Sequence, residues 1–260
     1  MTKIAHIGYG WLAKIIEKEN QESGKPFSLY FFNRSKKEGS LSYDLNGNQS
    51  IPEMLSQAQI LSVSIPPGKD LEKYYHTCLQ LKKIWPKESP ILFVSTTSVF
   101  PRKDGTFYES SIPNPDNKRG LILRKIESEL HDHFSQSCIL RSAGQVGENR
   151  HPLKFLLKNK KAVQGEEPIN MIYGVDLANL VLKIFTMWTR GDYVPAILHG
   201  VSPLHPLKKN YYTLQSKTLN LPDPKLLSDS NLKRVIDSEI LPKWDFKFKN
   251  KDCILKTLKL

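Results

Sequence analysis

A short glycine-rich segment near the start of the chain has residue types and a spacing that could do chemistry. An apolar run over residues 3–7 leads into the letters GYGWLA, which set Gly8, Gly10 and Ala13 in a Gly-x-Gly-x-x-Ala pattern. The first glycine permits a tight turn, the second lets backbone approach a phosphate, and the alanine allows close helix packing. The N-terminus of the helix that follows adds N–H donors and positive potential. The pattern predicts a turn that binds a dinucleotide pyrophosphate; the alternative is a tight strand–helix turn without a ligand.

The residues after the second apolar run bear on which dinucleotide is preferred. The chain reads FFNRSKK there, so Asn33, Arg34 and Ser35 stand where an acidic side chain would bind a ribose 2′-hydroxyl. No carboxylate is present to repel a 2′-phosphate, and Arg34 can pair with one. We therefore expect NADP to be preferred over NAD, unless this basic run is only a solvated loop.

These residues need strands and helices to position them. Strand-like apolar runs occur in chain order at 3–8, 27–33, 41–45, 59–67, 90–100 and 138–147. Helix-like stretches separate them, including one over about 118–134 with apolar residues on one face. Near-continuous apolar strands that alternate with helices are typical of a parallel sheet covered on both faces. The sequence therefore predicts an α/β fold, a Rossmann-like doubly wound parallel sheet.

The pattern loosens after residue 150. A helix is predicted from about Val175 to Trp188, then a strand over 195–202 and a helix around 206–219, and the last forty residues are polar. We predict an NAD(P)-binding Rossmann core over 1–150. The C-terminal part, 151–260, is predicted to carry a small substrate lobe and to pack on the core as one unit.

Composition and charge restrict the partners. The net charge is +12, and Lys outnumbers Arg 30 to 8, which favours a solvated surface over nucleic acid because base reading prefers Arg. No apolar stretch approaches the roughly 20 residues of a membrane helix, and no signal peptide is visible. Cys78, Cys138 and Cys253 are isolated and lack metal-ligand spacing. We expect a cytoplasmic protein with reduced thiols and no membrane, nucleic-acid or metal partner.

Several segments, taken in order, resemble one known family. They read FVSTTSVF (93–100), DGTFYESSIPNP (104–115), RGLILRKIESEL (119–130), LRSAGQVGENRHPL (140–153) and QGEEPINMIYGVDLANL (164–180). Together with GYGWLA they resemble the extended short-chain dehydrogenase/reductases, the NAD(P)-dependent nucleotide-sugar epimerase/dehydratase family, in an atypical branch. The resemblance covers nearly the whole chain.

The resemblance implies a pocket for NADP or NAD and a small-molecule substrate of the nucleotide-sugar type, and it allows a homodimer. The implied cofactor residues are Gly8, Gly10, Trp11, Leu12, Ala13, Asn33, Arg34, Ser35, Asp44, Leu45, Ile65 and Pro66. The implied substrate residues are Thr97, Ser98 and Arg150.

The chain differs from the family at the residues that transfer protons. The family uses a Ser/Thr, a Tyr and a Lys, and Thr96 matches the first of these. Arg119 and Leu123 stand at the Tyr and Lys positions, and no tyrosine of the chain is followed by lysine four places on. Arg119 cannot give up a proton near neutral pH, and leucine cannot bind a ribose.

Two interpretations therefore lead, and a nucleic-acid-binding module comes third. In the first, the protein is an oxidoreductase or epimerase that uses Thr96 with another acid/base: Tyr173, a water held by Arg119, or Glu109. In the second, it is a non-catalytic NADP-binding sensor or regulatory protein. Arg141 and Arg150 can each bind an anion or form a structural ion pair.

Overall fold

The computed structural model describes residues 1–147 and 149–249; Cys253 lies outside them. The strands are β1 (Thr2–Ile7), β2 (Phe27–Asn33), β3 (Leu41–Ser42), β4 (Ile60–Val63), β5 (Ile91–Thr96), β6 (Gly105–Phe107), β7 (Ser137–Ser142), β8 (Gly144–Val146), β9 (Val163–Gln164), β10 (Met171–Tyr173), β11 (Ile197–Gly200), β12 (Leu226–Leu227) and β13 (Arg234–Ile236). The helices are α1 (Trp11–Glu22), α2 (Glu53–Ser56), α3 (Leu71–Leu79), α4 (Leu81–Ile84), α5 (Lys118–His133), α6 (Pro152–Lys158), α7 (Gly174–Arg190) and α8 (Lys208–Leu219). A short 3-10 turn covers Thr97–Val99.

Seven strands form one sheet in the order β11-β7-β5-β4-β1-β2-β3. β1 pairs in parallel with both β2 and β4, and β4 pairs in parallel with β5. The chain first winds outward from β1 to β2 and β3, then returns to β4 and winds outward on the other side. In such sheets, ligands bind at the carboxyl ends of the strands where the winding reverses, which are β1 and β4 here. The predicted doubly wound parallel sheet is confirmed.

The apolar runs that predicted the strands form the core of this sheet. Every residue of β4 and of β7 is buried, as are the last four residues of β1. Two helix contacts concern the first unit. α3 packs against α5. α1 meets α7, where Asn179 donates to Glu19 at 2.7 Å.

The chain divides into two compact units, and neither is continuous in sequence. The first comprises Met1–Pro101, Pro113–Arg141 and Ala178–Leu198. The second comprises Arg102–Ile112, Ser142–Leu177 and, among the described residues, 199–249. In the second unit, short parallel pairs join β8 to β10, β9 to β12, and β6 to β13. α6 and α8 enclose a small apolar cluster there, around Leu153, Ile169, Tyr211 and Tyr212.

Residues 1–147 and 149–249 bear on both membrane binding and metal binding. None of the helices in this part of the chain reaches the length and apolarity needed to cross a bilayer. The same residues contain no group of three or more His, Cys, Asp or Glu side chains that could hold a metal ion.

Candidate active site

Gly8 makes the turn directly after β1. Its φ is +108°, and its N–H donates to the carbonyl oxygen of Phe32 at 2.9 Å. A Cβ at this position would lie 2.8 Å from the carbonyl oxygen of Ser64, on the strand end next to β1. Both the backbone conformation and the close approach exclude a side chain. The fold itself therefore requires glycine at position 8.

Gly10 differs from Gly8 in every one of these respects. Its φ of −114° and ψ of −158° are open to any residue. A Cβ here would have only the Gly8 carbonyl oxygen within 4 Å, at 3.9 Å. Gly10 is the N-cap of α1, it supplies no capping side chain, and the first turn of α1 holds no acidic residue. Added atoms would occupy the space in front of the helix N-terminus, where an anion is favoured.

The next three residues begin α1. Trp11 is half-exposed, whereas Leu12 and Ala13 are buried. Ala13 packs in one cluster with Tyr9 and with Phe31 of β2. Its small side chain lets the helix approach the sheet closely.

The loop after β2 carries the predicted 2′-phosphate residues. Asn33 Nδ2 donates to the carbonyl oxygen of Ser35 at 3.0 Å, and Ser42 Oγ donates to that of Arg34 at 3.3 Å. Arg34 and Ser35 are exposed. We call residues 34–40 the basic loop. These bonds hold its first residues against the strand end.

Asp44 and Leu45 belong to the turn that follows β3. Asp44 Oδ1 accepts from the backbone N–H of Asn46 at 3.0 Å, and its carbonyl oxygen accepts from Gly47 at 2.9 Å. Leu45 is buried. The Asp44 carboxylate thus stabilises this turn, and that structural role does not depend on a bound adenine.

The end of β4 lies against the glycine turn. His6 Nε2 and Ser64 Oγ are 2.7 Å apart, and Ser64 Oγ donates to the Gly8 carbonyl oxygen at 3.2 Å. Burial lowers the pKa of His6 to about 4. The Tyr74 hydroxyl donates to the carbonyl oxygen of Ile65 at 3.1 Å, while Pro66 is exposed. Side chains that the sequence did not single out thus hold this strand end.

The end of β5 carries the predicted hydroxyl group. Thr96 Oγ1 accepts from the Ser98 N–H at 3.2 Å and lies 2.5 Å from Ser98 Oγ, while Thr97 is buried. α5 begins directly against this turn, because a Cβ on Gly120 would collide with the Ser98 carbonyl oxygen and would lie 2.5 Å from Pro115 Cβ. Two hydroxyl groups therefore stand together at the start of the helix that carries Arg119.

Arg119 and Leu123 occupy very different environments. Arg119 is exposed in the first turn of α5. Its positive charge opposes the effect of burial, which raises the pKa of Tyr74. Leu123 is 1% exposed and belongs to the core. The position that the resemblance reserves for lysine is therefore filled by packed hydrocarbon.

A buried ion pair lies beneath the end of β5. Arg141 Nε and Nη2 donate to Glu127 Oε2 at 3.0 and 2.8 Å, and Ser95 Oγ donates to Glu127 Oε1 at 2.5 Å. The guanidinium also lies over the Phe100 ring, 5.2 Å from its centroid. Burial raises the pKa of Glu127, and the charge of Arg141 opposes that shift. Of the two interpretations of Arg141, the structural ion pair is confirmed.

The remaining predicted residues belong to the second unit. Tyr173 ends β10 opposite Val146 of β8 and is half-buried. Arg150 is exposed and forms an antiparallel bridge with Gly147. The Glu109 carboxylate is fully engaged: Oε1 accepts from the His199 N–H at 3.0 Å and from Ser238 Oγ at 2.6 Å. Its Oε2 accepts from the backbone N–H of residue 239 at 2.9 Å. These bonds assign Glu109 a structural task.

Comparison with known proteins identifies the architecture. No model of a known protein family matches the chain. Protein YeeZ of Escherichia coli (strain K12) is 27% identical over 278 residues, which cover 99% of this chain and 100% of that protein. MoeE5, solved in complex with UDP-glucose and NAD, superposes with a TM-score of 0.73 at 13% identity over 98% of this chain and 97% of its own. Human epimerase family protein SDR39U1 (isoform2), solved with NADPH, gives a TM-score of 0.74 at 13% identity over 95% of both chains. dTDP-glucose 4,6-dehydratase (rfbB) from Bacillus anthracis str. Ames, in complex with NAD, gives 0.74 at 12% identity over 99% and 96%.

The chain shares its Rossmann-like fold with these solved structures. Within that fold, the predicted residues of the first unit lie at the carboxyl ends of five neighbouring strands, β5, β4, β1, β2 and β3, except Arg119, which lies on α5. Arg150 and Tyr173 belong to the second unit. Sequence reasoning missed Tyr9, Tyr74 and Glu127, the partner of Arg141. An aromatic residue between two glycines was the one available signal, and it pointed to Tyr9.

Proposed function

We propose that the glycine turn binds the pyrophosphate of NADP or NAD, with NADP preferred. The observation that carries this proposal is the open space in front of Gly10, since neither its backbone conformation nor its packing calls for glycine. The N-terminus of α1 supplies N–H donors and positive potential there. Arg34, exposed on the basic loop, would pair with the 2′-phosphate. The solved relatives bound to NAD or NADPH support the same assignment.

The reaction we propose is that of an epimerase/dehydratase-like oxidoreductase on a nucleotide-sugar-like small molecule. MoeE5 binds UDP-glucose, which supports this class of substrate. A bound nicotinamide would supply hydride transfer. Thr96 and Ser98, whose hydroxyl oxygens are 2.5 Å apart, would orient a substrate oxygen by hydrogen bonding. Thr97 and Arg150 remain predicted substrate residues, and a homodimer remains a prediction.

The proton must be handled without the family's Tyr and Lys. Tyr173 and a water held by Arg119 are the two groups that we retain as acid/base candidates. Glu109 is set aside, because all of its carboxylate oxygens already accept hydrogen bonds from the second unit. Both retained groups should be less efficient general acid/bases than a phenol whose pKa is lowered by a lysine.

The buried Leu123 favours a second candidate function. A position packed at 1% exposure cannot present a cation to a ribose. The protein would then bind NADP without turnover and act as a sensor or regulatory protein. Binding and turnover must therefore be measured separately.

Calorimetric titration with NADP and NAD tests the binding proposal. We expect wild type to bind both, NADP more tightly, and we expect Gly10→Val to lose binding while its thermal midpoint stays near the wild-type value. Gly10→Ser is the matched variant: serine is a better N-cap than glycine by a few tenths of a kcal/mol. It should therefore be at least as stable as wild type and still bind more weakly. Normal binding of NADP by both variants would show that the cofactor does not bind at this turn.

Turnover is then assayed with NADP and NADPH over a panel of sugar nucleotides. Without the Tyr and Lys, we expect rates about 10²- to 10⁴-fold below those of enzymes that have them. Measurable turnover that Thr96→Ala or Tyr173→Phe abolishes would support the oxidoreductase and identify the group responsible. Tight cofactor binding with no turnover on any member of the panel would favour the sensor.

A further inference from the structure

The basic loop rests on a tyrosine that belongs to the glycine turn. We propose that Tyr9 is a specificity-determining residue, which sets the preference for NADP over NAD by positioning the basic loop through Gly39. This inference rests on the proposed function, because it concerns the same cofactor site. Neither Tyr9 nor Gly39 is assigned any contact with the cofactor.

Tyr9 is itself fixed from three sides. Its side chain is 6% exposed, and its ring packs on Phe31 with centroids 4.8 Å apart. The Lys14 ammonium lies 5.8 Å from the ring centroid. The hydroxyl donates to Glu17 Oε2 at 2.7 Å. Burial, reinforced by Glu17, raises the pKa of Tyr9 to about 12, so the phenol keeps its proton and goes on donating.

Gly39 is the point where the loop meets this ring. Its φ is +81°, in the left-handed region. A Cβ at Gly39 would lie 2.6 Å from the Tyr9 hydroxyl oxygen and 3.1 Å from Tyr9 Cζ. The loop backbone therefore sits in direct contact with the phenol, and a single methyl group would push the two apart.

The other contacts of the loop transmit this position to its basic side chains. The Ser40 N–H donates to the Lys37 carbonyl oxygen at 3.0 Å, and the Lys37 N–H donates to Ser40 Oγ at 3.3 Å. Ser42 holds the carbonyl of Arg34 at the other limb. Arg34, Lys36 and Lys37 are all exposed. The loop is thus ordered at both limbs before any ligand arrives, which lowers the entropic cost of binding a phosphate.

NAD lacks the 2′-phosphate, so the ordered basic loop should not increase its affinity. A change that displaces the loop should therefore weaken NADP binding and leave NAD binding as it is. The measured quantity is the ratio of the two dissociation constants, Kd for NAD over Kd for NADP. Effects on the pyrophosphate turn cancel in this ratio, because both cofactors share it.

The chain supplies a matched pair of glycines for the test. Gly24 also has a φ of +81°, but a Cβ there would have no atom within 4 Å. Gly39→Ala and Gly24→Ala thus place alanine at the same positive φ, and only the first disturbs the contact with Tyr9. We expect Gly39→Ala to lower the ratio about tenfold, the loss of one charge-assisted hydrogen bond. Gly24→Ala should keep the wild-type ratio.

Three further variants complete the experiment. Tyr9→Leu keeps an apolar side chain in the cluster but removes the ring, and should lower the ratio like Gly39→Ala. Tyr9→Phe removes the hydroxyl that a methyl group at position 39 would strike, so adding Gly39→Ala should cost less there than in wild type. Arg34→Asp, the positive control, should reduce the ratio to one or below.

The outcomes separate the two proposals. If wild type binds neither cofactor, the proposed function fails and this inference fails with it. If wild type prefers NADP and Arg34→Asp removes the preference, the proposed function stands. Equal ratios for wild type, Gly39→Ala and Tyr9→Leu would in that case overturn the role of Tyr9 alone.

Discussion

The buried ion pair beneath β5 allows a quantitative test of how the predicted catalytic strand end is held. The side chains of Arg141 and Glu127 are 4% and 5% exposed. Ser95, which immediately precedes Thr96, donates to the same carboxylate. Removing one partner of a buried pair typically costs about 3–5 kcal/mol, because the other charge stays buried without compensation. We expect Glu127→Met and Arg141→Met each to lose stability on this scale.

The two single variants should not be equal. Without Glu127, the guanidinium remains charged in the core, since arginine keeps its proton at any accessible pH. Without Arg141, Glu127 can take up a proton and become neutral. Glu127→Met should therefore be the more damaging change at neutral pH.

The loss in Arg141→Met should also depend on pH. Burial already raises the pKa of Glu127, and removing the opposing charge of Arg141 raises it further. A raised folded-state pKa contributes stability that is present below the unfolded value and is lost as pH rises through the folded value. The difference between wild type and Arg141→Met should therefore shrink as pH falls from 8 to 5. The deficit of Glu127→Met should not narrow in this way.

The double variant Glu127→Met/Arg141→Met completes the cycle. Replacing both charges with apolar side chains of similar size is often close to neutral, so most of the single-variant loss should disappear. Ser95 then lacks its acceptor, which leaves about 1–3 kcal/mol unrecovered. Ser95→Ala in the double variant should restore most of that remainder.

Urea unfolding followed by circular dichroism supplies the free energies, with equal m-values as the condition for comparing them. Lys82 and Glu129 form the control pair, since Glu129 lies on the same helix, α5, but both side chains are partly exposed. Lys82→Met and Glu129→Met should change stability far less. Comparable losses in the two pairs, or a double variant as unstable as the worse single variant, would contradict the reasoning.

Two further predictions concern the strand ends at the glycine turn. Gly8→Ala should lower the free energy of unfolding by about 1–3 kcal/mol because of its φ of +108° alone, and by more because its Cβ meets the Ser64 carbonyl oxygen. Gly10→Ala in the same urea assay should lower it by no more than the roughly 1 kcal/mol that a poorer N-cap costs. Equal losses in the two variants would contradict the distinction between the two glycines. His6 takes a proton near pH 6.5 in the unfolded chain but only near pH 4 when folded, so stability is full above pH 6.5 and falls by about 3 kcal/mol as the pH drops to 4. His6→Gln should flatten that part of the stability-against-pH curve, and an unchanged curve would mean that His6 is not buried as described.

The long, locally encoded elements could be predicted from the sequence. The helix expected over 118–134 is Lys118–His133, because the Asn117 side chain caps it by accepting from the Gly120 N–H at 2.9 Å. The helix expected from Val175 to Trp188 runs over Gly174–Arg190. In both, a cap or an apolar face lies within the segment itself, so no distant partner is needed.

Elements that depend on distant partners were predicted less well. The run 138–147, expected as one strand, is two: β7 stays in the large sheet, while β8 pairs with β10. The run 90–100 leaves strand geometry after Thr96, whose side chain caps the 3-10 turn. β9, β12 and β13 are two or three residues long and carry no periodicity that a sequence could show. Their partners lie far along the chain, so only packing determines them.

The same limit applies to the candidate site. The glycine turn is a local feature, so the turn between β1 and α1 could be predicted from the spacing of its residues. Tyr74, on α3, reaches the carbonyl of Ile65 only because α3 packs beside the end of β4. Contacts of this kind leave no trace in residue spacing, and sequence reasoning missed them for that reason.

Gly8 and Gly10 illustrate how structure changes what a motif can prove. From the sequence, both glycines support a cofactor equally, and both are also compatible with an empty turn. The structure accounts for Gly8 completely, since its φ and the approach of Ser64 would demand glycine in a protein that binds nothing. It leaves Gly10 unexplained, because apart from the adjoining residues a Cβ there would meet no protein atom closer than 3.9 Å. Within this motif, the case for a ligand therefore rests on the second glycine, and its substitution is the one that separates folding from binding.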